Sequence, residues 1–254
     1  MCDLTGKTAL VTGASRGIGQ AIAARLAANG AVVIVHFGTD EAGAKATVEE
    51  IERAGGSAFT VGARLGVDDD VETLFAGVEA GLAGRALDIL VNNAAAAPAG
   101  PLGVTTRAEF DHLFAVNVRA VYFTIERALP LFRDGGRIVS ISSVATRMAS
   151  PSQTSFAMTK AAVETMSRTL ANQLGSRGIT VNAVAPGATR TATNGSFFEA
   201  PGLTDLITAT TALDRLGAPE DVADIVAFLA SDAARWITGH VIDASGGLFL
   251  GPRV

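Results

Sequence analysis

The stretch that most constrains this chain is Thr8-Ala9-Leu10-Val11 running into Thr12-Gly13-Ala14-Ser15-Arg16-Gly17-Ile18-Gly19 and on into Gln20–Leu26. A short apolar strand enters a glycine-rich turn, and the turn opens straight into helix-forming residues. Glycines at 13, 17 and 19 let the backbone turn tightly and let a phosphate approach with no Cβ in the way. The helix that follows presents unpaired N–H groups and its positive dipole end to that phosphate. Strand, glycine turn and helix in this order are what a dinucleotide site needs. Gly13–Gly17 also matches G-x-S-x-G, the nucleophile turn of serine hydrolases. That alternative needs earlier strands to build an oxyanion loop, and here the turn follows the first strand. It also needs an acid and then a histidine, whereas His240 precedes Asp243. The nucleotide reading is preferred.

The remaining pattern alternates strand and helix. Strands are predicted at Ala31–His36, Ser57–Val61, Leu87–Val91, Arg137–Ile141, Gly178–Val184 and His240–Asp243. Helices are predicted from Asp40 to Arg53, after Asp68-Asp69-Asp70, from the capping box Thr106–Glu109, over Thr154–Leu174, and from Pro219. The fold class expected is α/β, a single-domain doubly wound parallel sheet (Rossmann-like) with helices on both faces. With 48% hydrophobic residues, 254 residues can bury one large core. One domain over 1–254 is expected, with a substrate loop at about 188–216. The acidic triplet reads as helix capping rather than a cation site. The helix after Thr106 should bury Phe110, Leu113, Phe114, Val118, Val121 and Ile125.

Charge and composition exclude several functions. A net charge of −5 offers no basic field to nucleic acid or an anionic membrane. Met1–Gly6 holds no apolar leader, and no apolar run nears the ~18 residues of a membrane span. The one cysteine, Cys2, fits a reducing cytoplasm. The three histidines, His36, His112 and His240, lie on unlike elements, so no metal is expected.

Taken together, Thr12-Gly13-x-x-x-Gly17-x-Gly19, Asn92-Asn93-Ala94, Asn117, Ser143, Lys160, Pro186-Gly187 and Thr238-Gly239-x-x-Ile242-Asp243-x-x-Gly246-Gly247 resemble the short-chain dehydrogenase/reductase family across the chain. The likeness is strongest to 3-oxoacyl carrier-protein reductases and to polyketide or polyhydroxynaphthalene ketoreductases. It implies NADPH-dependent reduction of a carbonyl to a secondary alcohol. It gives Ser143 a hydrogen bond to the substrate oxygen, Lys160 the nicotinamide ribose, and Asn117 a water that relays protons to the lysine. The cofactor site it implies comprises Gly13, Ser15, Arg16, Gly17, Ile18, Gly19, Phe37, Arg64, Leu65, Asn92, Ala94, Lys160, Pro186, Gly187, Thr189 and Thr191. NAD-selecting enzymes carry an acid at the end of the second strand; here that position is Phe37, and Arg16 can pair with a 2′-phosphate, so NADP(H) is expected.

The sequence departs from the family pattern at Ala95, where glycine is usual, at Arg64, where an aspartate is usual, at Thr189, and most consequentially at residue 156. The motif Tyr-x-x-x-Lys here reads Phe156-Ala157-Met158-Thr159-Lys160. Phenylalanine keeps the ring and loses the acid, and general acid catalysis typically supplies ~10²–10⁴-fold. Reduction by this chain should be crippled. The alternative is a non-redox role on the same scaffold: a binding or regulatory protein, or a dehydratase or isomerase using Ser143 and Lys160. A bulky, fairly apolar carbonyl compound suits walls formed by Ala94–Pro101, Val144–Gln153 and Ala192–Thr211, with Phe197 and Phe198 as cover. The resemblance also implies a homotetramer. Val116, Val121, Tyr122, Val163, Met166 and Leu170 offer a second apolar side on the helices involved.

Overall fold

The structure, a computed structural model, describes residues 2–192 and 194–251, with the side chains of 196 and 197 outside the description. Seven strands form one sheet: β1 (Thr8–Val11), β2 (Val32–Phe37), β3 (Ser57–Gly62), β4 (Leu87–Asn92), β5 (Phe132–Ile141), β6 (Thr180–Pro186) and β7 (Val241–Ala244). Their order is β3-β2-β1-β4-β5-β6-β7, and every pairing is parallel. The chain winds outward in one direction from β1 and in the other from β4. The carboxyl ends of these two neighbours therefore open onto a crevice, the place where such sheets bind ligands.

The central strands read as unbroken apolar runs because both faces are covered. Along β1, Ala9 and Val11 join one core and Leu10 the other, as the two-residue strand period requires. The first core packs α1 (Gly17–Ala28), α2 (Glu41–Arg53) and α8 (Pro219–Ala230) through Ile22, Leu26, Ile51 and Val226. The second packs α3 (Asp70–Leu82), α5 (Ala120–Ala128) and α6 (Thr154–Leu174) through Leu74, Phe75, Ile125 and Val163. Two shorter helices, α4 (Arg107–Phe114) and α7 (Leu203–Ala209), complete the set.

Several expectations need correction. The helix opened by the Thr106–Glu109 capping box is not continuous, because residues Ala115–Arg119 form a π turn between α4 and α5. The turn widens the helix by one residue and shifts its inward face. Leu113, Val116, Asn117, Ala120, Val121, Thr124 and Ile125 are buried, whereas Phe110, Phe114 and Val118 are only partly covered. Phe110 and Phe114 stack on each other at 4.6 Å instead. The acidic triplet also works differently from a simple cap. Asp69 stands at the helix start in the left-handed region with no side-chain cap bond. Asp70 accepts from the N–H groups of Val71 and Gly66, tying the preceding loop to α3.

The proposed second apolar side is mostly interior. Val116, Val121 and Val163 are buried, and Met166 and Leu170 pack against the second core. The exposed apolar side chains on α5 and α6 are Tyr122, Phe123 and Met158. No helix among the described residues is long and apolar enough to cross a membrane. Among the described residues no group of His, Cys, Asp and Glu is placed to hold a metal.

Candidate active site

The glycine turn fills the mouth of the crevice between β1 and β4. Gly13 has φ +63, and a Cβ there would stand 2.9 Å from Ala94 Cα. A Cβ on Gly19 would meet the Gly13 carbonyl oxygen at 2.2 Å and Asn93 Nδ2 at 2.4 Å. Only glycine fits either place. Asn93 Nδ2 donates to the carbonyls of Thr12 and Gly13, both at 2.9 Å. Thr12 Oγ1 accepts from the N–H groups of Asn93 and Ala94, both at 3.0 Å. These bonds staple the ends of β1 and β4 together.

His36, which sequence reasoning left unassigned, holds the turn from the other side. Gly13 N–H donates to its Nδ1 at 3.1 Å, and its Nε2–H donates to the Ala63 carbonyl at 2.9 Å. Those partners fix the tautomer. Burial pushes the imidazole down to about 4, so it stays neutral near pH 7. The available signal was one polar residue inside the buried β-branched run of β2.

The remaining cofactor candidates line the same rim. Ser15 and Ile18 are half-buried in the turn and Gly17 opens α1. Arg16 is exposed at the N-cap of α1, and among the described residues it has no ion pair. Phe37 ends β2 with its ring over Gly62, where a Cβ would come within 2.8 Å. Arg64 is exposed and Leu65 half-buried just beyond β3. The Asn92 amide turns inward and donates to Ser140 Oγ at 3.3 Å, so its side chain belongs to the sheet. Beyond Pro186, which ends β6, Gly187 presses on Ser245 and Thr189 Oγ1 donates to the Gly187 carbonyl. Asn194, also missed from the sequence, accepts from Thr191 N–H at 2.7 Å and donates to the Thr189 carbonyl at 2.9 Å. Those bonds fold the loop so that Thr191 faces Gly17 across the rim.

The reactive side of the crevice is built by β5 and α6. Lys160 is 5% exposed, and its Nζ donates to the Ile141 carbonyl at 2.8 Å. Burial lowers the ammonium pKa to about 8. Phe156 lies one helical turn earlier, with its ring centroid 5.4 Å from Nζ. Ser143 follows β5, and its Oγ accepts the Ala145 N–H at 3.2 Å. Accepting that bond caps the next turn and leaves the hydroxyl proton to donate.

Glu164 sits one turn beyond Lys160 and was not singled out from the sequence. Ser142 Oγ and Thr146 Oγ1 donate to its Oε1 at 2.6 and 2.9 Å. Lys160 and Glu164 together hold the segment that carries Ser143. Asn117, in the π turn, is 1% exposed. Its Oδ1 accepts from Ala96 N–H at 2.7 Å and its Nδ2 donates to Thr159 Oγ1 at 3.2 Å. Thr159 Oγ1 donates in turn to the Phe156 carbonyl at 2.7 Å. The asparagine side chain thus ties the loop after β4 to α6.

Two hollows adjoin this region without reaching it. One of about 620 Å³ lies between Ala145–Pro151 and the outer side of α6. Another of about 330 Å³ lies between Leu102, Phe110 and Met158. Neither is lined by Ser143, Phe156 or Lys160, nor by a residue of 192–211, so the three expected substrate walls do not meet in them. Phe198 is buried, with the Arg190 guanidinium 5.6 Å from its ring; the Phe197 side chain lies outside the described residues.

A parallel sheet with this reversal, a glycine turn at its switch point, and a serine and lysine on the adjoining strand and helix define a dinucleotide-dependent oxidoreductase scaffold. The family model for enoyl-(acyl carrier protein) reductase matches residues 13–249. The chain belongs to the short-chain dehydrogenase/reductase family. It is 39% identical to versicolorin reductase stcU of Emericella nidulans, an alignment covering 97% of each chain. Among solved structures it is similar to LugOII, a promiscuous reductase of lugdunomycin biosynthesis that catalyses keto-reduction at C1, at 50% identity and TM-score 0.93, covering 98% of this chain and 99% of that one. It is also similar to the angucycline C-6 ketoreductase LanV with bound NADP, at 49% identity and TM-score 0.94, covering 98% of both. A further LanV structure holds NADP and rabelomycin, at 48% identity and TM-score 0.90, covering 98% of this chain and 99% of that one.

Proposed function

We propose that this chain is an NADPH-dependent ketoreductase for a bulky, fairly apolar carbonyl compound. The observation that carries the reading is the Lys160 ammonium held on the carbonyl of Ile141, two residues before Ser143, with the Phe156 ring beside the lysine. The glycine cradle fits a pyrophosphate, since Cβ atoms at 13 and 19 would fill it and α1 points its N-terminus there. Bound NADPH would supply a hydride to the substrate carbon. Ser143 would donate to the substrate oxygen, Lys160 would hold the ribose hydroxyls, and the amide of Asn117 would keep the loop after β4 in register with α6. The carbonyl substrate is supported by LanV, which binds rabelomycin. Phe156 also favours a second reading, a non-redox role on the same scaffold. The test is NADPH oxidation by the Phe156→Tyr variant against a panel of aromatic ketones. Cofactor binding with no turnover of any ketone would sink the reductase reading in favour of the second.

Arg16 should select the phosphorylated cofactor. Replacing it with alanine should weaken NADPH binding by about tenfold and leave NADH nearly unchanged, because one charge-assisted pair is lost. Fluorescence titration of both cofactors reads this, and equal losses for the two would reject it. We also propose a homotetramer in a cytoplasmic setting. Its contact would use the exposed Tyr122, Phe123 and Met158 rather than the interior valines. Charging that face with Tyr122→Glu and Met158→Glu should yield smaller species in analytical ultracentrifugation. A 25.8 kDa monomer for the unaltered protein would refute the assembly.

A further inference from the structure

Ketone reduction needs a proton for the oxygen as well as a hydride for the carbon, and among the described residues no phenol stands at the site to give it. The chain has a single tyrosine, Tyr122. It is 48% exposed on α5 and packs edge-on against Phe123, so no displaced phenol substitutes for the one missing at 156. His36 is enclosed between Gly13 and Ala63, His112 is exposed on α4, and His240 is exposed just before β7. Glu164 is an acceptor for Ser142 and Thr146. Ser143 can donate a hydrogen bond, but a simple alcohol is a far weaker acid than a phenol. Lys160 is turned onto the Ile141 carbonyl, beside the ring of Phe156.

We infer that the substrate brings the proton itself, as a phenolic hydroxyl chelated to the carbonyl that is reduced: a peri- or ortho-hydroxyaryl ketone. The inference rests on the ketoreductase reading above and names its substrate class. A phenol on the substrate has the acidity of the tyrosine that Phe156 lacks, ~10 in water. Chelation holds it in line with the oxygen, which gives an intramolecular donor a high effective concentration. The bare Phe156 ring offers an aromatic substrate an apolar surface, and the Lys160 cation beside it stabilises a phenolate.

The step balances. The carbonyl carbon accepts a hydride from reduced nicotinamide, the carbon–oxygen π bond breaks, and the oxygen takes the chelated proton. Oxidised nicotinamide and a phenolate remain, and the phenolate regains a proton from water. The ketone is reduced by two electrons and the nicotinamide oxidised by two.

Two compounds differing in one methyl group test this: 8-hydroxy-1-tetralone and 8-methoxy-1-tetralone. The unaltered protein with NADPH should reduce the hydroxy ketone at least about 100-fold faster in kcat/KM. Phe156→Tyr should shrink that ratio by accelerating the methoxy ketone. A second readout needs no nicotinamide: the hydroxy ketone's phenolate absorption band should emerge at lower pH when it is bound than when it is free. Lys160→Met should abolish that shift. Equal turnover of the two ketones, no turnover of the hydroxy ketone by the unaltered protein, or an unshifted phenol on binding would overturn the inference. If Phe156→Tyr binds NADPH and reduces neither ketone, the ketoreductase reading itself has failed.

Discussion

Phe156→Tyr is expected to raise kcat/KM by about 100-fold or more for ketones that carry no hydroxyl of their own, at least ~2.7 kcal/mol off the barrier. The seat for the phenol is already built. Phe156 is half-buried with its ring centroid 5.4 Å from Lys160 Nζ, and its carbonyl is held by Thr159, whose hydroxyl is held by Asn117. Adding one oxygen leaves this packing in place, so the variant should unfold within ~0.5 kcal/mol of its parent. The lysine cation favours the ionised phenol and draws its pKa below ~10. The acid works only while protonated, so reduction should decline on the alkaline side as that phenol ionises. Lys160 itself loses its charge through about 8, which limits how far the phenol is drawn down. Steady-state rates from about pH 6 to 10 test both features. A Tyr variant no faster than the parent on simple ketones would contradict the assignment of this position.

What the sequence made legible is what local sterics dictate. Each glycine of the turn answers to a demand within a few residues or from one neighbouring strand, and the four-residue spacing of 156 and 160 needs only a helix. The strands around them announce themselves because parallel strands covered on both faces must be apolar throughout. The π turn was not legible. Apolar spacing extrapolated at the ~3.6-residue period has no way to register one inserted residue, so Phe110, Phe114 and Val118 were placed too deep and Val116 on the wrong side. Apolar residues on several sides of α5 and α6 likewise signalled an interior wrapped around the helix more than a free face. Glu164 and Asn194 escaped notice because their partners, Ser142 and Thr146 for one and Thr189 and Thr191 for the other, converge only in the folded chain.

Acid sensitivity centred on His36 is the other large effect expected. The imidazole joins the glycine turn to the end of β3, accepting from Gly13 N–H and donating to the Ala63 carbonyl. Protonation would place an N–H against the Gly13 N–H, two donors face to face, inside a region where His36 is 1% exposed. Burial therefore holds its folded pKa at about 4, against 6.5 for the unconstrained group. Between those values the unfolded chain binds a proton that the folded chain does not, so stability rises with pH across the window. The contribution is fully present above the unfolded value and is lost progressively as pH falls toward 4, amounting to about 3 kcal/mol. Asp221, held down to about 2 by Arg215, adds a slope of the same sign once pH falls to its ordinary 3.8, where the unfolded chain takes up a proton and the folded chain does not, so its effect lies at the acid edge of this window. Urea unfolding from about pH 4 to 7 should show the dependence, and His36→Asn should flatten it while weakening the hold on Gly13. The same variant should bind NADPH less tightly at pH 7, because Gly13 loses the side chain that holds its N–H while Asn93 still holds its carbonyl. Parallel pH–stability curves for parent and variant would show that His36 is not the group responsible.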